Sequence, residues 1–462
     1  MDRRYFLKAS TVLAGAMCLD IPTFGRRNES FGKPLLKVGI ISDTHISTEE
    51  SLEVFRRALV YFRENGVDAV MIAGDITNNS RLSQFKAVAK VWDDVFASWR
   101  TPAGRKVEKL FVTGNHDIGK YSPEEMTSIW MNVFGEEWSP VYMKEINGYK
   151  FIGAHFDNRE TTPGLAGFMD AVRNQLPSDK PFFYFQHTHP KGTCSAPWVW
   201  GQDNGETTGI LNGFPNVVAF SGHSHTSLTD ERTIWQGTFT SVGTSSLSYV
   251  IPFDGRENSK RVKNRKVQMP PLDCSNGKQG MLMTVYRESI VLRRHEFVFG
   301  ENLGEDWVIP LPFSERNRPY SFESRAAVEK APQFAAGAAV AVSEPYDGHN
   351  RNGEDARQVE VLFPAAVSGS LSKTARALDY EVQVELSDAD TFKAVYTERV
   401  YSEVYFLSEE REKGRDVKCV FPVDKLPSRG SFRFCVRPCG CFGKRGEPIF
   451  SEIIDSSIIN TK

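Results

Sequence analysis

Five short apolar runs punctuate the first half of the chain. They are Val38-Gly39-Ile40-Ile41, Ala69-Val70-Met71-Ile72-Ala73, Leu110-Phe111-Val112-Thr113, Phe182-Phe183-Tyr184-Phe185 and Val217-Val218-Ala219-Phe220-Ser221. Continuous β-branched and aromatic runs of this length read as strands buried on both faces. Between them the spacing changes. Leu52, Phe55, Leu59 and Phe62, then Leu82, Phe85, Val88, Trp92, Val95 and Trp99, recur every three or four positions. That period predicts two amphipathic helices. Ser47-Thr48-Glu49-Glu50 and Ser122-Pro123-Glu124-Glu125 carry the marks of helix N-termini, and Gly66 ends the first helix. A further strand is expected at Tyr149–Ala154, and residues 281–286 and 289–297 read as a closing hairpin. Strands alternating with helices predict an α/β sheet covered by helices.

The rhythm changes after residue 300. Residues 301–333 are Pro-rich and lose periodicity, which reads as a linker or wrap-around segment. From 334 to 462 apolar and polar residues alternate, as in Tyr380-Glu381-Val382-Gln383-Val384-Glu385-Leu386 and Ser431-Phe432-Arg433-Phe434-Cys435-Val436. A small all-β sandwich is expected there. It resembles fibronectin type III modules, chiefly in Gly443-Lys444-Arg445-Gly446-Glu447-Pro448-Ile449.

The 462 residues allow two or three domains, and a net charge of -2 gives no reason to expect nucleic acid as the main partner. Seven cysteines include no Cys-x-x-Cys, so a zinc ribbon is excluded; four of them lie between 419 and 441, with pairing left open. Asp2-Arg3-Arg4-Tyr5-Phe6-Leu7-Lys8 precedes a mildly apolar stretch ending at Leu19. Residues 1–19 therefore read as an export signal. The signal resembles the twin-arginine type, although Asp2 departs from it, and the general secretory route stays open. The stretch is too short to span a membrane, and no other stretch reaches that length. An exported protein, periplasmic or otherwise extracytoplasmic and without a transmembrane span, is expected.

All five strand runs end in residues competent to bind a metal. The first ends in Asp43-Thr44-His45, the second in Gly74-Asp75 and the third in Gly114-Asn115-His116-Asp117. The fourth ends in Gln186-His187-Thr188-His189, the fifth in Gly222-His223-Ser224-His225. In an extended chain residues i and i+2 share a side, so Asp43 and His45 aim at a common point. In α/β sheets ligands gather at the carboxyl ends of the strands. Carboxylate oxygen mixed with imidazole nitrogen suits first-row divalent metals. Glycine stands just before three of these blocks, where the backbone must turn sharply. His187 directly follows its strand and is preferred over His189, which is left to line a pocket or support Pro190. His155 reads as a core histidine; His295 and His349 read as structural or exposed. Trp198-Val199-Trp200-Gly201-Gln202-Asp203-Asn204 either flanks the centre or anchors its own loop.

In this order the five blocks resemble the motif series of the calcineurin-like metallophosphoesterases, over roughly residues 36–300. The resemblance implies an αββα sandwich and a two-metal centre. It implies that Asp75 bridges the metals, that Asp43, His45 and His225 complete one site, and that Asn115, His187 and His223 complete the other. It makes His116 a phosphate-contacting general acid. With only two carboxylates, two divalent ions leave a cationic centre even with a hydroxide, which suits an anionic phosphate. The mixed donor set favours Mn, Fe or Zn. Three departures narrow the subfamily. Ile76-Thr77-Asn78 follows Asp75 where protein phosphatases of the family carry Asp and then Arg. No Tyr stands at the purple acid phosphatase spacing, and no nucleotidase-type C-terminal domain is evident. The expected function is an exported phosphohydrolase cleaving phosphate mono- or diesters with a metal-activated hydroxide. Its partner would be a phosphorylated small molecule, lipid or envelope polymer. The rival expectation is a cell-surface protein whose β-sandwich binds glycan or envelope polymer, with the phosphoesterase domain accessory.

Overall fold

Each apolar strand run feeds two different cores, because successive side chains point to opposite faces. Along β1 (Leu36–Ile41), Val38 and Ile40 enter one cluster and Ile41 another. Along β2 (Ala69–Ala73), Ala69 and Met71 part in the same way from Val70 and Ile72. In β3 (Glu108–Val112), Leu110 and Val112 part from Phe111. The pattern repeats in β6 (Phe182–Phe185) and β7 (Val217–Ser221): Phe183, Phe185, Val218 and Phe220 join the shared cluster, while Phe182, Tyr184, Val217 and Ala219 join a third. Two sheets therefore meet across one core, and helices cover both outer faces. The computed structural model describes residues 31–459 apart from 120, 158–160, 195–200, 252–255, 257, 259–276, 316, 351–352, 367–375, 390 and 404–415. The expected export signal lies outside the described residues, as do Trp198 and Trp200.

The first sheet runs β12 (Glu301–Asn302), β11 (Ser289–Glu296), β10 (Gln279–Val285), β1, β2, β3. Strands β1, β2 and β3 are parallel, and β10 joins β1 antiparallel. The second sheet runs β4 (Val141–Ile146), β5 (Tyr149–Ala154), β6, β7, β9 (Thr240–Gly243), β8 (Ile234–Gln236), with β5, β6, β7 and β9 parallel. Helices α1 (Glu49–Glu64), α2 (Leu82–Phe96) and α4 (Pro123–Ile129) pack on the first sheet, and α3 (Asn115–Ile118) is a single turn. Helices α5 (Leu165–Val172) and α6 (Glu206–Leu211) pack on the second. The architecture is the expected mixed α/β, αββα arrangement. The cap of α4 is the expected pair, with Glu125 N–H donating to Ser122 Oγ at 3.2 Å. At α1 the reciprocal pair is Thr48 and Ser51, one position later than the Ser47 start that the sequence suggests.

Residues 301–333, read from the sequence as a linker or wrap-around segment, add two short strands to the first sheet. Strand β13 (Trp307–Pro310) pairs antiparallel with β11, and Trp307 and Ile309 enter the core between the sheets. Helix α7 (Phe322–Val328) follows and carries the buried Arg325. A four-residue strand ending in Pro310 has too little length to show periodicity, which is why the sequence hides it. Glu231 ties these pieces together. Its carboxylate accepts from Arg294 Nη1 at 2.9 Å, from Trp307 Nε1 at 2.9 Å, and from Arg325.

The C-terminal region forms two antiparallel sheets. One contains β14 (Ala341–Val342), β15 (Tyr346–His349), β16 (Asp355–Pro364) and β19 (Asp416–Pro422). The other contains β17 (Asp379–Asp388), β18 (Thr391–Tyr401), β20 (Ser431–Cys439), β21 (Ile449–Phe450) and β22 (Ile454–Asp455). Val359, Val361 and Phe363 of the first face Tyr380, Val382, Val384 and Phe434 of the second in one core. Cys194, Cys435, Cys439 and Cys441 are free thiols. Arg256 donates to Asp379 at 2.8 Å and Asn258 exchanges two hydrogen bonds with the Tyr401 backbone, so the sandwich packs on the α/β layers. No helix among the described residues is long and apolar enough to cross a membrane.

Candidate metal centre

The loops leaving β1, β2, β3, β6 and β7 at their carboxyl ends meet at one place. Asp43, His45, Asp75, His223 and His225 all adopt left-handed backbone, with φ of 49°, 42°, 49°, 67° and 52°. Such a conformation costs an L-residue about 1–3 kcal/mol and persists where the surroundings over-determine it. Gly74 (φ 90°), Gly114 and Gly222 explain how the loops come so close. A Cβ on Gly74 would overlap the His187 ring, one on Gly114 would overlap Asp75, and one on Gly222 would overlap Asp43.

All eight residues singled out in the sequence converge here. Ligand atoms of Asp43, His45 and His225 lie within 4.8 Å of one another, as do those of Asp75, His187 and His223. Asp43 Oδ1 is 3.0 Å from His225 Nε2 and 3.9 Å from His45 Nε2. Asp75 Oδ2 lies between the two groups, 3.3 Å from His187 Nε2 and 3.7 Å from His45 Nε2. Asn115 Oδ1 is 3.1 Å from His187 Nε2, and His223 Nδ1 is 3.1 Å from the same atom.

The outer hydrogen bonds decide which lone pairs face inward. His225 Nδ1 donates to the Tyr249 carbonyl at 2.8 Å, and His187 Nδ1 donates to the Ala73 carbonyl at 3.0 Å. Each Nε2 is then a lone pair aimed at carboxylate oxygens. Asp43 Oδ2 is occupied by Ser42 Oγ at 2.5 Å and the His223 N–H at 3.0 Å, which leaves Oδ1 for the cluster. Asp75 Oδ1 accepts from the His116 N–H at 2.8 Å, which leaves Oδ2 between the groups. Acceptors crowded this tightly repel one another unless a cation stands among them, so the donor set fits two divalent ions with Asp75 shared. The chemistry of the donors is mixed oxygen and nitrogen, which suits first-row metals.

Charge supports the same reading. Burial alone would raise the Asp43 carboxyl, but His225, His187 and His45 hold it well below the usual carboxylate range. Burial lowers His45 to about 4 and His223 to about 3, so both rings are neutral donors. Burial also disfavours a charged His187, but Asp75 and Asp43 outweigh it and raise the ring to about 9. A proton on His187 thus stands where a cation would. Below about pH 9 that proton competes with the metal, so affinity should fall as pH falls. Chelator competition at pH 6, 7 and 8 is expected to show about a tenfold weakening per unit, the slope for one displaced proton. A pH-independent affinity would refute His187 as a donor.

His116 is exposed at the rim, its ring 4.6 Å from that of His45. Its Nδ1 lies 2.6 Å from the Asn78 carbonyl, so the other nitrogen is free of that bond. Asn78 therefore orients the ring through its backbone and not through its side chain. Asp117 is a residue whose role the sequence did not single out. Its buried carboxylate accepts from the N–H groups of Ile76, Thr77 and Gly114 at 3.0, 2.8 and 2.9 Å, which clamps the second block to the third. Its signal was an acid three residues after Gly114 at the start of a helical turn. Ser42, Ala73 and Tyr249 leave no such signal, because two of them act through backbone carbonyls. His189 lies behind the cluster, not in it, and His155 is buried with Nδ1 accepting from the Thr113 N–H at 3.0 Å. His295 stacks on Tyr61, and His349 pairs with Asp355.

Residues 36–227 match the model of the family described as Calcineurin-like phosphoesterase. The chain contains a calcineurin-like metallophosphoesterase domain. No curated protein matches the sequence. Among solved structures, a dimetal phosphatase from Danio rerio is similar at 13% identity and a TM-score of 0.41, over 60% of this chain and 99% of that one. GAP50, described as the anchor in the inner membrane complex of Plasmodium, is similar at 10% identity and a TM-score of 0.39, over 61% and 90%. Vacuolar protein sorting 29 from Cryptosporidium parvum is similar at 11% identity and a TM-score of 0.30, over 61% and 98%.

Proposed function

We propose that the α/β layers hydrolyse phosphate mono- or diesters with two divalent ions, Mn, Fe or Zn. Asp43, His45 and His225 would hold one ion, Asn115, His187 and His223 the other, and Asp75 both. The observation that carries this reading is the convergence of imidazole lone pairs on Asp43 Oδ1 and Asp75 Oδ2, fixed from behind by the Tyr249 and Ala73 carbonyls. When bound, the ions supply charge stabilisation for the phosphoryl group and lower the pKa of water between them. The chain supplies the rest. Its left-handed loops place the donors before any substrate arrives, which removes reorganisation from the reaction. His116 stands at the rim with Nδ1–H donating to the Asn78 carbonyl, so it would act as general acid through Nε2, which must carry the second proton of an imidazolium.

The reading is tested on His116→Ala. Turnover of a chromogenic phosphodiester and its monoester should fall by about 10²–10⁴-fold, with two metals still bound. Metal loss in that variant would place His116 among the ligands. Unchanged turnover would remove it from the chemistry. The same reading includes export: the charged start and apolar stretch of residues 1–19 support it, and fractionation of the expressed protein tests it. The substrates that suit this reading are phosphorylated small molecules, lipids or envelope polymers.

A further inference from the structure

The fourth strand run carries two histidines, and the metal cluster uses one of them. His189 is 1% exposed and lies behind the cluster. Its Nε2 is 2.5 Å from Ser224 Oγ, and its Nδ1 is 2.7 Å from Ser221 Oγ and 3.2 Å from Cys194 Sγ. Its own backbone is pinned, with N–H donating to the Gly201 carbonyl at 3.1 Å and C=O accepting from the Asp203 N–H at 2.8 Å. The ring cannot swing into the cluster without breaking these bonds.

The two serines mark the ends of one tight turn. Ser221 closes β7, and Ser224 separates His223 from His225. His223 and His225 both sit in the left-handed region, at φ 67° and 52°. Backbone of that kind relaxes unless something outside the turn opposes it. The His189 ring spans the turn from Ser221 to Ser224. His223 belongs to one trio of donors and His225 to the other.

We propose that His189 is a positioning residue of the metal centre, bridging Ser221 and Ser224 so that His223 and His225 keep the backbone geometry that both metal sites need. The proposal rests on the two-metal reading above. It predicts that losing the ring weakens both sites at once and that the loss travels through Ser224. Outer-shell partners of metal ligands typically carry about 10–100-fold in affinity.

The test compares wild type, His189→Leu, His189→Gln, Ser224→Ala and the His189→Leu/Ser224→Ala double variant. Mn²⁺ dissociation constants come from chelator competition, and geometry from the visible spectrum of Co²⁺-loaded protein. His189→Leu and Ser224→Ala should each weaken both sites by about 10–100-fold and shift the Co²⁺ bands with ligand number unchanged. The double variant should be within about twofold of the worse single, and His189→Gln should recover part of the loss. Unchanged affinity and spectrum beside a lowered melting midpoint would overturn the proposal, as would additive losses. Loss of a nitrogen ligand by X-ray absorption in His189→Leu would overturn it by making His189 itself a ligand. Should His189→Leu fail to fold, Ser224→Ala decides alone, since unchanged affinity there refutes the relay. A wild type that binds fewer than two ions would sink the two-metal reading instead, which keeps the two failures apart.

Discussion

Asp75→Asn is expected to abolish phosphoester turnover and to reduce the bound metal from two ions to one at most. Asp75 Oδ2 faces His187 on one side and His45 on the other, so one oxygen serves both groups of donors. The other oxygen is already bound to the His116 N–H and is not free to replace it. An amide keeps the shape but loses the charge, and Asp43 is then the only carboxylate left to oppose two dications. Metal-based stabilisation is worth several kcal/mol, and a loss of about 4 kcal/mol corresponds to roughly 10³-fold in rate. The measurement is turnover beside metal content by atomic absorption. Near-wild-type turnover with two ions bound would refute the assignment of Asp75 as the shared donor. A full complement of metal with no turnover would instead move Asp75 from metal binding to the chemistry.

Glu231→Ala should be the most destabilising single change away from the centre. The carboxylate receives two guanidinium groups and an indole, and Arg294 and Arg325 are 2% and 5% exposed. Removing it leaves two buried cations without their shared anion. Breaking a buried pair in this way costs about 3–5 kcal/mol. The damage should spread to β13 and α7, since Trp307 and Arg325 both donate to this carboxylate. Urea unfolding is the measurement, and a midpoint equal to wild type would show the knot to be dispensable. The pH dependence has a definite sign. Burial opposes ionisation of Glu231, but Arg294 and Arg325 outweigh it and lower its pKa to about 2 from an ordinary 4.5. A group whose folded pKa is depressed stabilises fully above its unfolded pKa. The contribution should therefore be intact above about pH 4.5 and lost as pH falls toward 2. The Glu231→Gln variant should lack this acid-dependent component.

Much of the candidate centre was legible because its chemistry is written in short blocks at strand ends. Asp43-x-His45 and His223-x-His225 are readable at a separation of two residues, and Gly74, Gly114 and Gly222 announce close approach. The fold class was legible for a similar reason, since buried strands and amphipathic helices differ in period. Other features left no local trace. The carbonyls of Ala73 and Tyr249 belong to residue types that say nothing about their role. The residue type of Asn78 does not announce that its backbone carbonyl orients His116. Residues 301–333 read as a linker or wrap-around segment because the strand Trp307–Pro310, at four residues, has no period to detect.

The sequence by itself determined the donor types, their order and their place at the ends of strands, because these depend on a few adjacent residues. Only the tertiary structure decided which atoms meet. Asp43 and His223 are 180 residues apart, and their contact exists only because two sheets close on one core. Packing likewise parts His187 from His189: two residues of the same type, two positions apart, face the cluster and its rear wall. Donor chemistry is local, whereas direction is set by everything packed behind each side chain.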